Sequence, residues 1–178
     1  MTEHHFTLVL ASSPSLEDGS AIEALGEAGA TDATVGRGPE GIWTAVFDRL
    51  ADSFDVALKS AIAAVRTAGL VVRRVEPDDL VTQAEIAERL GRTSESIRLL
   101  ASGQRGDKSF PPPAVRTTSR GSLWRWSQVA RWARLPADEA EKAEWIAVVN
   151  ARLQFDLFDT PKERAMLKEV AGMLSGKA

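Results

Sequence analysis

Residues 80–135 read LVTQAEIAERLGRTSESIRLLASGQRGDKSFPPPAVRTTSRGSLWRWSQVARWARL, and the order of helix, turn and strand signals in this stretch decides the fold. Thr82, with Glu85 three residues on, forms a capping box, in which hydroxyl and carboxylate each satisfy a backbone N–H that a helix start leaves free. Ile86, Ala87 and Leu90 follow at helical spacing, and Gly91 supplies the turn. Thr93 is a natural N-cap for a second helix whose inner face is Ile97, Leu100 and Ala101. The small Ala87 lets that helix cross close to the first. Together these are a helix-turn-helix signal.

The next residues make the signal more specific. Phe110 to Pro113 (FPPP) cannot continue a helix and impose an extended path. Ala114–Thr118 and Ser122–Trp126 read as two strands joined through Ser119, Arg120 and Gly121. A third helix starts from a Ser127 cap and aligns Val129, Trp132 and Leu135. The order is that of a winged helix-turn-helix. In QAEIAERLG (83–91), TSESIRLL (93–100), FPPP (110–113) and WRWSQVARW (124–132), the chain resembles the MerR/excisionase superfamily and, within it, the small AlpA-like regulators. The resemblance covers about a third of the chain.

That resemblance implies a bacterial transcriptional regulator, which binds double-stranded DNA sequence-specifically with its second helix in the major groove. Thr93, Ser94, Glu95, Ser96 and Arg98 then lie on the reading side. Arg98 suits a guanine, and Glu95 suits a cytosine amine or the helix N-terminus. Arg116, Arg120 and Arg125 on the wing, and Arg92, Arg105 and Lys108 beside the helix, suit phosphates or a minor groove. The alternatives are an excisionase-like or partitioning accessory factor, and an adaptor whose winged module binds protein. Trp126 and Trp132 are expected in the core, whereas Trp124 is a candidate for an outward position.

Charge supports the same reading independently. Between Leu80 and Leu135 ten basic residues face four acids, a net of +6 in a chain whose total is −3. Neutralising phosphates releases counterions, so such a concentration of arginine favours DNA.

The 178 residues allow two small domains, and 44% apolar with 26% charged residues is ordinary for soluble protein. No run of about 18 apolar residues suggests a transmembrane helix. The start, with Glu3, His4 and His5, does not read as a signal peptide, so a cytoplasmic location is expected. Without cysteine there is neither a disulfide nor a thiolate ligand. His4 and His5 lack the partners a metal needs and read as a frayed terminus. No nucleophile motif, phosphate-binding glycine loop or cofactor fingerprint is present, so neither an enzyme nor a cofactor is expected.

Residues 1–77 form a separate α+β unit on this reading. Phe6–Leu10 is a strand and Ser15–Ala28 a helix with Ile22 and Leu25 inward. Thr34–Gly36 and Ile42–Phe47 are strands, and Ser53 caps a helix to Ala68 with a stripe of Val56, Ala57, Ile62, Ala63 and Val65. Leu70–Val75 is the last strand. The order β-α-β-β-α-β is that of the ferredoxin-like fold. Up to Asp79 there are thirteen acids against six bases, so this unit is expected to serve dimerisation or a protein partner and not DNA. Glu76 to Asp79 reads as a short linker.

Residues 137–175 carry two further helices. Trp145, Val148, Val149 and Leu153 are the expected stripe of the first, and Thr160-Pro161 starts the second. They form either a helical hairpin on their own chain or a dimerisation element; a homodimer is what the resemblance implies. Between them, Gln154 to Phe158 (QFDLF) is similar to the pentapeptide that binds the replication sliding clamp. The simpler reading is a helix end with Phe155, Leu157 and Phe158 in the core.

Overall fold

The computed structural model describes residues 1–117, 121–156 and 160–175, an α+β chain built on a four-stranded antiparallel sheet with eight helices among the described residues. The first unit comprises β1 (Thr2–Leu10), α1 (Pro14–Glu17), α2 (Ser20–Glu27), β2 (Ala33–Arg37), β3 (Trp43–Ala51), α3 (Phe54–Thr67) and β4 (Val72–Glu76). Its strands lie in the order β2-β3-β1-β4, every neighbour antiparallel. Period-two alternation sends Phe6 and Leu8 of β1 and Ala45 and Phe47 of β3 into one core. There Phe6 stacks on Phe47 at 5.5 Å and meets Phe54 edge-on at 5.6 Å.

The helix expected over 15–28 is broken in two because Gly19 adopts φ 83°, and the Asp18 carboxylate takes the Ser20 N–H at 2.9 Å. Ala21 and Leu25 face inward, while Ile22 is exposed. In α3 the buried face is Phe54, Ala57, Leu58, Ala61, Ala64 and Val65; Val56 and Ala63 point to solvent. The stripe is thus rotated from the expected one, because Phe54 at the first turn turns toward the phenylalanine cluster.

His4 and His5 do not fray. Both lie in β1, where His5 Nδ1 is 2.6 Å from Asp48 Oδ1 and His4 packs edge-on against Phe54.

The second unit follows as β5 (Leu80–Val81), α4 (Gln83–Arg89), α5 (Ser94–Ala101), β6 (Val115–Thr117), β7 (Gly121–Arg125) and α6 (Trp126–Trp132). Its strands form a small sheet of order β5-β7-β6, in which the short β5 was not expected. Val81, Ile86, Ala87, Ile97, Leu100, Trp124, Trp126, Val129 and Ala130 form its core; Ala101 lies outside. Ser127 is not the cap of α6 but lies inside its first turn, buried.

The last two helices are α7 (Ala137–Phe155) and α8 (Pro161–Ser175). α7 buries Ala140, Ala143, Ile146, Asn150 and Leu153, with Trp145 and Val149 partly covered and Val148 exposed. Ala140 and Ala143 complete the second core, and Ile146 and Leu153 complete the first. The expected hairpin is therefore replaced by a bracket: α7 covers its apolar face with β4 and α6 instead of α8. The Asn150 side chain explains the placement. Its Oδ1 accepts the Val75 N–H at 2.7 Å and its Nδ2 donates to the Val75 carbonyl at 3.0 Å, pairing the edge of β4 as another strand would. α8 buries none of its residues.

Among the described residues, no helix is long and apolar enough to cross a membrane, and no group of three or more His, Cys, Asp or Glu could hold a metal ion.

Candidate nucleic-acid interface

Local sequence builds the start of this site. Thr82 Oγ1 accepts the Glu85 N–H at 3.2 Å, and Glu85 Oε2 accepts the Thr82 N–H at 2.7 Å, so the capping box is complete. These bonds hold the Glu85 carboxyl below its ordinary value, because the backbone N–H of Thr82 favours the charged form. Gly91 takes φ 60°, which lets the Arg92 N–H reach back to the Ala87 carbonyl at 2.8 Å. Thr93 then caps α5 by accepting the Ser96 N–H at 3.1 Å. Gln83 Nε2 donates to the Ser94 carbonyl at 2.8 Å and ties the starts of α4 and α5 together.

Along α5, Ser94, Glu95 and Arg98 are exposed and Ser96 is half-buried. Glu95 and Arg98 form a two-bond pair, Nε to Oε2 at 2.8 Å and Nη2 to Oε1 at 2.7 Å. The paired guanidinium lowers the Glu95 carboxyl, and the carboxylate in turn raises Arg98. Both side chains stay open to solvent, so Arg98 can exchange this partner for another planar acceptor. Beside them, Thr82, Gln83, Ala84, Ser94, Ser122 and Trp124 line a groove of about 420 Å³ where two helix starts meet β7.

The other expected contacts sit around this face. Arg92 is exposed, with its guanidinium 5.8 Å from the Trp132 ring, as Arg89 stands over Trp126 at 4.9 Å. Arg105 and Lys108 are exposed on the loop after α5, whose turn is fixed by the Gln104 and Arg105 N–H groups on the Leu99 carbonyl. Arg116 occupies β6 opposite Ser122. Thr118, Ser119 and Arg120, the expected wing tip, lie outside the described residues.

Arg125, expected on the wing, is exposed and also pairs inside the module. Its Nη1 donates to Asp79 Oδ2 at 2.9 Å, so part of its charge is already used inside the module. Asp79, read from sequence as linker, is 1% exposed. Its Oδ1 accepts the Ser127 N–H at 2.9 Å and its carbonyl accepts the Trp126 N–H at 2.7 Å. It therefore caps α6 from across the module, satisfying two donors that the helix cannot. No periodicity or turn signal marks that role.

Trp124 is likewise corrected, being buried with its Nε1–H on the Pro111 carbonyl at 3.2 Å. Trp126 is buried; Trp132 is partly covered, packs on Phe110 at 4.9 Å and donates to Ser109 Oγ at 3.0 Å. These indoles lock the proline segment and the loop that carries Lys108.

The clamp-like pentapeptide is not extended where it is described. Gln154 and Phe155 close α7, with Phe155 exposed and not in the core. Leu157 and Phe158 lie outside the described residues.

Comparison with protein-family models, with curated proteins and with solved structures finds no match for this chain.

Proposed function

We propose that the chain is a sequence-specific DNA-binding protein, a transcriptional regulator of the MerR/excisionase kind, whose α5 enters the major groove. The observation that carries the reading is the outward face of α5. Ser94, Glu95 and Arg98 project near its start from a module of net charge +6, with Arg92, Arg105 and Lys108 exposed around them. The order α4, α5, β6, β7, α6 supports a winged helix-turn-helix, and the pairing of β5 with β7 supports it further. The strand order β2-β3-β1-β4 supports a ferredoxin-like first unit. That unit is acidic and serves as the partner-binding or dimerisation half.

In this reading Arg98 leaves Glu95 and grips a guanine through two bonds, while Arg92, Arg105 and Lys108 hold phosphates. Fluorescence anisotropy of the full chain on random and selected duplexes, at two salt concentrations, tests it. Binding is expected to be stronger on the selected site and to weaken steeply with salt. Arg98→Ala should weaken the selected duplex roughly tenfold to a hundredfold and leave random duplex nearly unchanged. Arg92→Ala should weaken both alike. Equal losses on both duplexes for Arg98→Ala would remove its role as a base reader. No binding to any duplex would sink the DNA reading and favour a protein adaptor.

A further inference from the structure

Where the two units meet, the chain leaves a cleft of about 460 Å³ between the 77–78 linker, the end of α4, α6 and the start of α7. Pro77, Trp126, Leu135, Pro136, Ala143 and Ile146 form its apolar walls. Four charged side chains complete it: Arg89 and Lys142, with Asp78 and Glu139. Junctions between units are common sites for small ligands, and an apolar pocket with a few converging polar groups is their usual form.

Two of the four charges are already committed. Lys142 Nζ donates to the His5 carbonyl at 3.1 Å and stands over the Phe54 ring at 5.2 Å. Asp78 Oδ1 accepts the Leu80 N–H at 3.2 Å. The other two are open. Arg89 is half-buried with its guanidinium over the Trp126 ring at 4.9 Å, yet it makes no hydrogen bond or ion pair among the described residues. Glu76 and Glu85 line an adjoining hollow with it but serve elsewhere, Glu85 in the Thr82 box and Glu76 on Arg74. A guanidinium drawn partly out of water calls for a planar anion, which it can hold through two bonds. Glu139, exposed in the first turn of α7, likewise has no side-chain partner among the described residues.

We propose that this cleft binds an apolar α-amino acid, with its carboxylate on Arg89, its ammonium on Glu139 and its side chain against Trp126, Leu135 and Ile146. The open charges are one of each sign in a single cleft, which suits a zwitterion. A simple anion would leave Glu139 unmatched beside it, and a simple cation would do the same to Arg89. A seated ligand ties α4 to α7, and α7 also completes the first core, so binding couples the two units. The site is independent of the DNA reading, since neither Arg89 nor Glu139 lies on α5 or the wing.

Isothermal titration calorimetry of the full chain with phenylalanine and with leucine tests this. Phenylpropionate, which lacks the ammonium, and phenethylamine, which lacks the carboxylate, are the controls. Phenylalanine is expected to bind saturably, and each control at least about tenfold more weakly. Arg89→Gln should weaken phenylalanine at least about tenfold and leave phenethylamine nearly unchanged, since that probe has no carboxylate to lose. Glu139→Gln should weaken phenylalanine similarly and spare phenylpropionate; its position is exposed, so folding is not at stake. A variant that merely disturbs the structure weakens all three probes alike, and that pattern in both variants would remove the two charges from the site. No saturable heat from phenylalanine or leucine, or phenylpropionate binding as tightly as phenylalanine, would overturn the proposal.

Discussion

Among the described residues, the two units of this chain each bury one charged residue, and in each the buried charge is opposite to the surface around it. The acidic first unit encloses Arg49, 8% exposed, whose guanidinium holds Asp32 through two bonds at 2.8 and 2.6 Å. It also donates to Ser60 Oγ and the Gly29 carbonyl, both at 3.0 Å, and stacks on Phe47. The basic second unit encloses Asp79, which holds Arg125 and the start of α6. A lone buried charge would be costly, yet each here is fully engaged and sits in a field of favourable sign. The difference is in what they tie. Arg49 joins helix end to sheet within a large aromatic core. Asp79 orders a module whose aliphatic core is small, so more depends on it.

The largest expected effect tests that dependence. Asp79→Ala should destabilise the second unit by about 3 kcal/mol, since it strips a buried N–H of its acceptor and frees a guanidinium. Urea unfolding followed by tryptophan fluorescence measures it, because Trp124, Trp126 and Trp132 all lie in that unit. Asp79→Asn keeps an acceptor for Ser127 and should cost only about 1 kcal/mol. Equal costs would mean that the ion pair, not the helix cap, is what matters.

Arg49→Ala comes next, at about 2–3 kcal/mol, read by amide exchange in β3 and α3. Arg49→Lys should not recover it, because an ammonium cannot reproduce the two-bond fork on Asp32.

Asn150→Ala asks whether the units stand or fall together. It leaves the Val75 N–H and carbonyl without their buried partner and should cost about 2 kcal/mol. Since α7 contributes to both cores, both should lose protection; loss confined to β4 would show that α7 does not couple them.

Thr82→Ala, removing the cap of α4, should cost about 1 kcal/mol by thermal denaturation and only in the second unit.

The smallest effect is in acid. The Asp32 carboxyl is lowered chiefly by its hydrogen bonds to Arg49. Its stabilisation is therefore present above the ordinary carboxylate value and is lost as pH falls through the lowered folded value. Asp32→Asn should flatten that part of the stability–pH curve, while leaving the fall that comes from Glu85 in the second unit, which has the same sign.

Much of the element order was legible because the signals are local. The Thr82–Glu85 box, Gly91 and Thr93 act within one helical turn, and alternation along β1 and β3 needs only neighbouring residues. The same locality limits the reading. The face of α3 was misjudged because Phe54 answers to Phe6 and Phe47, from other strands. On α7 the expected stripe includes Val148 and omits Ile146, whereas Ile146 is buried and Val148 exposed, because only the position of β4 and α6 separates two equally apolar side chains. For the candidate site, Ser94, Glu95, Ser96 and Arg98 follow from the helix period once Thr93 is the cap. The engagement of Arg125 does not, since its partner lies 46 residues away.

By itself, then, the sequence determined the order of most helices and strands, the caps of α4 and α5, and that a basic module follows an acidic one. Tertiary structure alone decided that Asp79 caps α6, that Asn150 completes the edge of β4, and that α7 joins two cores while α8 joins none. The physical reason is common to all of these: each answers a backbone group or apolar surface left unpaired by distant segments, and such a vacancy exists only once the chain has folded.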